Sequence, residues 1–275
     1  MVIQHNMTAE NAVRHSGIIN KQQKTPLERL SSGYRINHAS DDAAGISISE
    51  QMRGQVRGLN QASRNSADGQ SVANIADGAL NEVSNVLNRA RELCIEAAND
   101  TNVTADRDAI QMELDALTEE VDRICKETEF NTMRLFQGPD TGLEMNIQSG
   151  SNAGQLTKFV IPRMDADVLE LRGARALDAS SNAAATKSAE DIDDMLDILN
   201  QTRAQLGSFY NRMDHAVAGA DLSSENLQGS ESQIRDADMA HEMMDYSRIN
   251  ILKTASESMI SQANSSLDGT LQLLQ

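Results

Sequence analysis

Between Val72 and Ala97 apolar residues return every seven positions, and this period constrains the fold more than anything else in the chain. Val72, Ala79, Val86 and Leu93 form one row; Ala76, Val83, Ala90 and Ala97 form a second; Leu80, Leu87 and Cys94 form a third. Spacings of three and four put all three rows on one side of a helix. Three adjacent rows make that side wide enough to pack against more than one neighbour. Asn81, Glu82, Asn85, Asn88, Arg89 and Glu92 fall on the remaining surface. Such a helix needs partners, and the chain supplies three more stripes. They run through Ile110, Leu114, Leu117, Val121, Ile124 and Thr128; through Ile192, Met195, Leu199, Thr202, Leu206, Phe209, Met213, Ala216 and Ala220; and through Leu252, Ala255, Met259, Ala263, Leu267, Leu271 and Leu274.

Composition agrees with helices packed side by side. Only 3% of the 275 residues are aromatic, Trp is absent, and 13 Met supplement Ala, Leu, Ile and Val. Thr104, with Asp106 and Asp108 behind it, reads as the cap of the second helix. The short polar connection after Ala97 predicts an antiparallel hairpin. Thr25-Pro26-Leu27-Glu28 reads either as a helix start or as a kink in a longer helix. Ser188-Ala189-Glu190-Asp191 reads as the start of the third long helix. The middle differs: Gly138-Pro139, Gly142, Gly150, Gly154 and Gly173 break the pattern. Between them Leu143, Met145 and Ile147 alternate, as do Thr157, Phe159 and Ile161, while Leu169 and Leu171 hint at a third strand. Residues 174–187, rich in Ala, Ser and Asn, read as a linker.

A formal net charge of -17 argues against nucleic acid and anionic membranes as partners. No apolar run reaches the 18 residues a membrane span needs, and the N-terminal MVIQHNMTAENAVRH lacks the apolar core of a secretory signal. Cys94 and Cys125 flank the turn unequally. In an antiparallel hairpin they are offset by about 15 residues, roughly 20 Å at ~1.5 Å per residue. A disulfide needs Cα atoms within about 7 Å, so two buried thiols are expected. His241-Glu242-Met243-Met244-Asp245 is one residue from the HExxH zinc motif, but Asp245 stands where the second His belongs. Glu190-Asp191-Ile192-Asp193-Asp194 lacks the Gly and terminal Glu of a calcium loop. No enzyme, metal or cofactor is expected.

Leu30-Ser31-Ser32-Gly33-Tyr34-Arg35-Ile36-Asn37 followed by Asp41-Asp42-Ala43-Ala44-Gly45 is locally turn and cap chemistry. It also resembles the N-terminal signature of the bacterial flagellins. The resemblance continues through Gly58–Gly69, Gly78–Asp100 and Thr128–Leu135, and resumes from Ile234–Met243 to the end. Longer flagellins insert outer domains in the middle, and this chain resembles the shared ends alone. The expected fold is mainly α: an elongated antiparallel helical bundle or coiled coil with a small central β-rich patch, its N- and C-terminal helices paired. The resemblance implies a discontinuous terminal helical domain of residues 1–45 plus 234–275 forming a filament core. Residues 46–233 then form a helical rod, with the β patch at about 140–173.

The function so implied is that of a structural subunit polymerising into the flagellar filament for motility. Ile3, Met7, Leu30, Leu252, Met259, Leu267, Leu271 and Leu274 are the apolar positions expected to carry polymerisation. Implied partners are further copies of the chain, a flagellar export chaperone, and the cap and hook-junction proteins. Location in the flagellum, after export through the flagellum's own channel without a cleaved signal peptide, is implied likewise. Arg89, Leu93 and Glu113 fall where flagellins meet the host Toll-like receptor that senses them; Asn88 departs from the Gln usual there. A hook–filament junction protein of related architecture is the alternative.

Overall fold

The computed structural model describes residues 6–137, 142–164 and 177–272, and side chains as far as residue 266. Helix α1 (Met7–Ser32) is followed by α2 (Ala43–Ala97) and α3 (Thr104–Glu127). Four short strands come next: β1 (Glu129–Phe130), β2 (Met133–Arg134), β3 (Leu143–Gln148) and β4 (Leu156–Ile161). Helices α4 (Asn182–Arg235) and α5 (Met239–Gln272) complete the chain. The fold is mainly α with a small β patch. It divides into two compact units, residues 1–54 with 226–275, and residues 55–225.

In 55–225 the seven-residue rows of α2 do what their spacing predicts. Val72, Ala76, Leu80, Val83, Leu87, Ala90, Leu93, Cys94 and Ala97 are all buried, and Ala79 and Val86 border the same core. Ile110, Leu114, Val121 and Cys125 of α3 meet them, with Ile192, Met195, Leu199, Leu206, Phe209 and Met213 of α4. Helices α2 and α3 form the expected antiparallel hairpin: Arg89 reaches Glu113 at 3.0 Å, and Arg107 donates to the Asn99 carbonyl at 3.4 Å. Both thiols are buried and neither is in a disulfide. Burial pushes the Cys94 thiol up to about 11, so it acts as a small apolar core residue.

Strands β3 and β4 pair antiparallel, with Leu143 opposite Ile161 and Met145 opposite Phe159. Phe159 stacks on Phe209 of α4 at a ring-centroid distance of 4.0 Å, fixing the hairpin to the helix. Gly69 of α2 permits a close approach to the same face of the hairpin: a Cβ there would meet Ile147 Cδ1 at 2.4 Å. Asn65 donates to the Gln148 carbonyl at 3.2 Å beside it. Strands β1 and β2 make a second, two-residue-strand hairpin that the sequence reading misses. Asn131 and Thr132 turn it with φ of 48° and 66°. Sequence rules look for Gly in such a turn, and a β-branched Thr in the left-handed region is uncommon.

Several boundaries differ from expectation. Helix α4 begins at Asn182, so Ser188 lies inside it rather than capping it. The Ser188 hydroxyl is buried and exchanges hydrogen bonds with the Asp178 backbone, accepting at 2.9 Å and donating at 3.2 Å. Leu177, Ala179 and Ala185 are buried too, so residues 177–187 pack on the core instead of acting as a linker. Thr104 is the first helical residue, and Val103 precedes it as the cap residue with its N–H donating to Asp106 at 3.3 Å. Helix α1 does not start at Thr25; it starts at Met7 and carries Pro26 inside, buried. The strand expected at Leu169 and Leu171, and the breakers Gly138-Pro139 and Gly173, lie outside the described residues.

Candidate assembly surface

In the unit formed by 1–54 and 226–275, α1 and α5 run antiparallel. Asn6 shows how local chemistry sets this up. Its side-chain oxygen caps α1 by accepting from the Ala9 N–H at 3.0 Å, while its amide donates to the Ala263 carbonyl of α5 at 3.3 Å. Further along, the Ser256 hydroxyl donates to the Ala12 carbonyl, Lys253 donates to Gln23, and Arg29 pairs with Glu242 at 2.9 Å. As the position on α1 rises, its partner on α5 falls.

The seam between them has a regular three-four spacing. On α1 it is Ala9, Ala12, Ser16, Ile19, Gln23, Pro26 and Leu30; on α5 it includes Glu242, Ile249, Lys253, Ser256, Ile260 and Ala263. Small and polar side chains alternate there with Ile19, Leu30, Ile249 and Ile260, and most are only half-buried. Pro26 and Glu242 alone among those described are buried outright. Glu242 is 6% exposed and is neutralised by Arg29, so it is no general base of a zinc site. His241 stands 3.7 Å from Asp245 on the same helix. Among the described residues no cluster of His, Cys, Asp and Glu could hold a metal, and no helix is long and apolar enough to cross a membrane.

This corrects the expected last stripe. Leu252, Ala255 and Met259 do not face α1; the packed positions sit one residue later, at Lys253, Ser256 and Ile260. One residue is about 100° around a helix, so the more apolar stripe is turned outward. Leu252 and Met259 are exposed, Met259 by 64%. Met239, Met243, Met244 and Ile251 are exposed on α5 as well, and Met7 (61%), Val13, Ile18 and Leu27 on α1. Of the other positions expected to carry polymerisation, Leu30 is half-buried in the seam. Leu267 and Leu271 lie in α5 but beyond the described side chains; Ile3 and Leu274 lie outside the described residues.

The two motifs farthest apart in sequence meet in this unit. Gly33 ends α1 in the left-handed conformation, φ 77°, its N–H donating to the Arg29 carbonyl. The chain then bridges Tyr34 to Asp236. The Arg35 N–H donates to the Arg235 carbonyl at 2.7 Å, and the Ala237 N–H to the Gly33 carbonyl at 2.9 Å. Arg235 lies over the Tyr34 ring, 5.0 Å from its centre, and pairs with Glu50 at 2.7 Å. Arg235, and then Arg53, hold the Glu50 carboxyl below its ordinary range. Asp238 caps α5 by accepting from the Ala240 N–H. The sequence reading gives the first motif as local turn and cap chemistry and the second only as part of the resemblance. Turn chemistry shows where a chain bends and not what the bend touches, so their pairing was not legible.

On α2 and α3, Arg89 and Glu113 are exposed and paired with each other, and Glu92 lies 3.2 Å from Arg89. Leu93 is different: at 2% exposure it belongs to the core and offers a receptor no surface in this structure. Its place in the first heptad row already required that.

Residues 3–141 match the bacterial flagellin N-terminal helical region, and residues 189–274 match the bacterial flagellin C-terminal helical region. A flagellin of Halalkalibacterium halodurans is 45% identical over 274 residues, covering all of both chains. Among solved structures, the chain is similar to Bacillus cereus flagellin, with a TM-score of 0.50 and 28% identity over 57% of this chain and 88% of that one. It also shares the fold of a putative flagellar hook-associated protein from Vibrio parahaemolyticus, with a TM-score of 0.60 and 16% identity over 71% of this chain and 100% of that one.

Proposed function

The chain belongs to the bacterial flagellin family and is a structural subunit of the flagellar filament; on that premise we propose that it polymerises by covering the outward apolar sides of α1 and α5 with further copies of itself. One observation carries this reading. The paired helices half-bury a seam that mixes small and polar residues with Ile19, Leu30, Ile249 and Ile260, and leave Met7, Val13, Ile18, Leu27, Met244, Ile251, Leu252 and Met259 exposed. Eight large apolar side chains left exposed on two paired helices support an interaction surface there. Residues 1–45 and 234–275 then form the filament core, and 46–233 a helical rod. Because the copies join head to tail without closing, the product is an open filament. It transmits torque and performs no chemistry. Flagellins form an extracellular filament, and passage through the flagellum's own channel, a chaperone that covers the same apolar sides beforehand, and cap and hook-junction contacts belong to this proposal.

The test is negative-stain electron microscopy of purified chain added to short seeds of itself. Long uniform filaments are the expected result. Persistent monomers beside intact seeds would overturn it and favour the hook–filament junction role, which binding to isolated hooks then checks.

A second reading concerns recognition of free subunits by the host flagellin-sensing Toll-like receptor. Arg89 and Glu113 support it, being exposed and locked together across two helices, which presents a rigid charged surface. Reversal of both charges should lower receptor signalling while leaving seed elongation intact; unchanged signalling refutes it.

A further inference from the structure

Methionine is distributed unevenly over the two units. Met164, Met195 and Met213 are sealed inside the core of 55–225. The same unit exposes Met112 and Met133, whereas on α1 and α5 every described methionine is exposed: Met7, Met239, Met243, Met244 and Met259. A thioether is oxidised according to its exposure, and its sulfoxide is polar where the parent was apolar. Leucine would provide similar apolar area without that chemistry. Five of the seven exposed methionines among the described residues therefore lie on the two helices that, in the reading above, a second copy covers.

We propose that these five methionines form a redox modification site that controls entry into the filament, and the inference rests on that reading. A two-electron peroxide oxidant converts them to sulfoxides in the unassembled subunit. The sulfur lone pair attacks one peroxide oxygen, an S–O bond forms and the O–O bond breaks. The sulfur loses two electrons, and the departing hydroxide takes the proton of the transferred oxygen and leaves as water. The new sulfoxide oxygen is a strong acceptor. Ile251 and Leu252 are exposed on the same helix, and burying the sulfoxide against apolar side chains of a second copy without a donor is costly. Once assembled, the same sulfurs are covered and the oxidant no longer reaches them.

The test treats full-length subunit with hydrogen peroxide, maps sulfoxides by peptide mass spectrometry and follows elongation of untreated seeds. The five sites should oxidise at least about tenfold faster than Met195 and Met213. Elongation should fall about tenfold or more, and methionine sulfoxide reductases A and B together should restore it. Preformed filaments should acquire sulfoxide at these sites several-fold more slowly, by roughly the protection that burial confers. Met112 and Met133, exposed on the other unit, provide the control: replacing both with leucine should leave the sensitivity unchanged. Replacing the five with leucine should remove it; if that variant does not elongate at all, reductase reversal on the natural sequence decides. Full elongation by oxidised subunit, or inhibition that the reductases leave in place, overturns the inference. Untreated natural protein that fails to elongate seeds overturns the filament reading itself, and this inference with it.

Discussion

Helices pair with heptad spacing in both units, but they bury different chemistry along the seam. In 55–225 the seam is Leu80, Val83, Leu87, Leu114, Leu199 and Leu206, all nearly or wholly buried. In the unit of 1–54 and 226–275 it mixes Ala12, Ser16, Gln23, Lys253 and Ser256 with Ile19, Leu30, Ile249 and Ile260, nearly all half-buried, and hydrogen bonds and the Arg29–Glu242 ion pair cross it. Burying a Leu side chain contributes about 1.5–3 kcal/mol, whereas an exposed or half-exposed polar contact contributes about 1 kcal/mol or less. The first unit can be ordered by its own core. The second only half-buries its seam and leaves much of its apolar surface exposed, so in the proposed reading its order is coupled to assembly. Spacing alone does not distinguish the two; the residue types on the seam do.

The largest effect that tests this contrast is deletion of residues 250–275. Seed elongation should be abolished, while helical dichroism and thermal melting of 55–225 stay near those of the full chain. Filaments from the truncated chain would break the contrast.

Next in size is a pair of truncations at matched seam positions. Leu206→Ala in the deep core should destabilise 55–225 by about 2–5 kcal/mol in denaturant melts. Ile19→Ala on the half-buried seam of α1 should cost the monomer less than about 1.5 kcal/mol. Equal losses would mean that the terminal pair has a core of its own.

Glu242→Ala should cost the terminal unit about 1–3 kcal/mol, because it leaves Arg29 partly buried without its partner. Arg29→Met with Glu242→Met should recover part of that loss, since two apolar groups need no pairing. Hydrogen exchange of α1 and α5 amides reports both, and no change in 55–225 is expected.

The smallest effect is on pH. Arg235 and Arg53 depress the folded-state pKa of Glu50. A depressed carboxyl contributes stability above its unfolded value, and loses it as pH falls through the folded value. The terminal unit should therefore hold its tyrosine near-ultraviolet dichroism down to about pH 4.5 and lose it on further acidification. Glu50→Gln should flatten that response and leave the melting of 55–225 unaltered.

The rows from Val72 to Ala97 and the stripes on α3 and α4 were legible because burial there follows helical geometry directly. The β3–β4 alternation was legible for the same reason. The α5 stripe is right at Ala263 and off by one residue at Leu252, Ala255 and Met259: Leu252 and Met259 are the more apolar choice, and apolarity signals burial without saying in which molecule. Leu93 was drawn toward a surface role by resemblance although its own heptad row had already placed it inside. The start of α4 was missed because Asn182 carries no pattern of its own. What draws the helix back there is Ser188 meeting Asp178 and Ala185 meeting the core.

The sequence by itself determined that this chain is helical, where its apolar rows fall, that its two thiols lie too far apart to bond, and that its ends resemble those of the flagellins. These follow from local period, rise per residue and residue type. Only the tertiary structure decided which side of α5 meets α1, that Gly33-Tyr34-Arg35 pairs with Arg235-Asp236-Ala237, and that Glu242 is spent on Arg29. Each of these depends on residues some 200 positions apart in the chain meeting in space, and no local pattern encodes which distant partner a face will find.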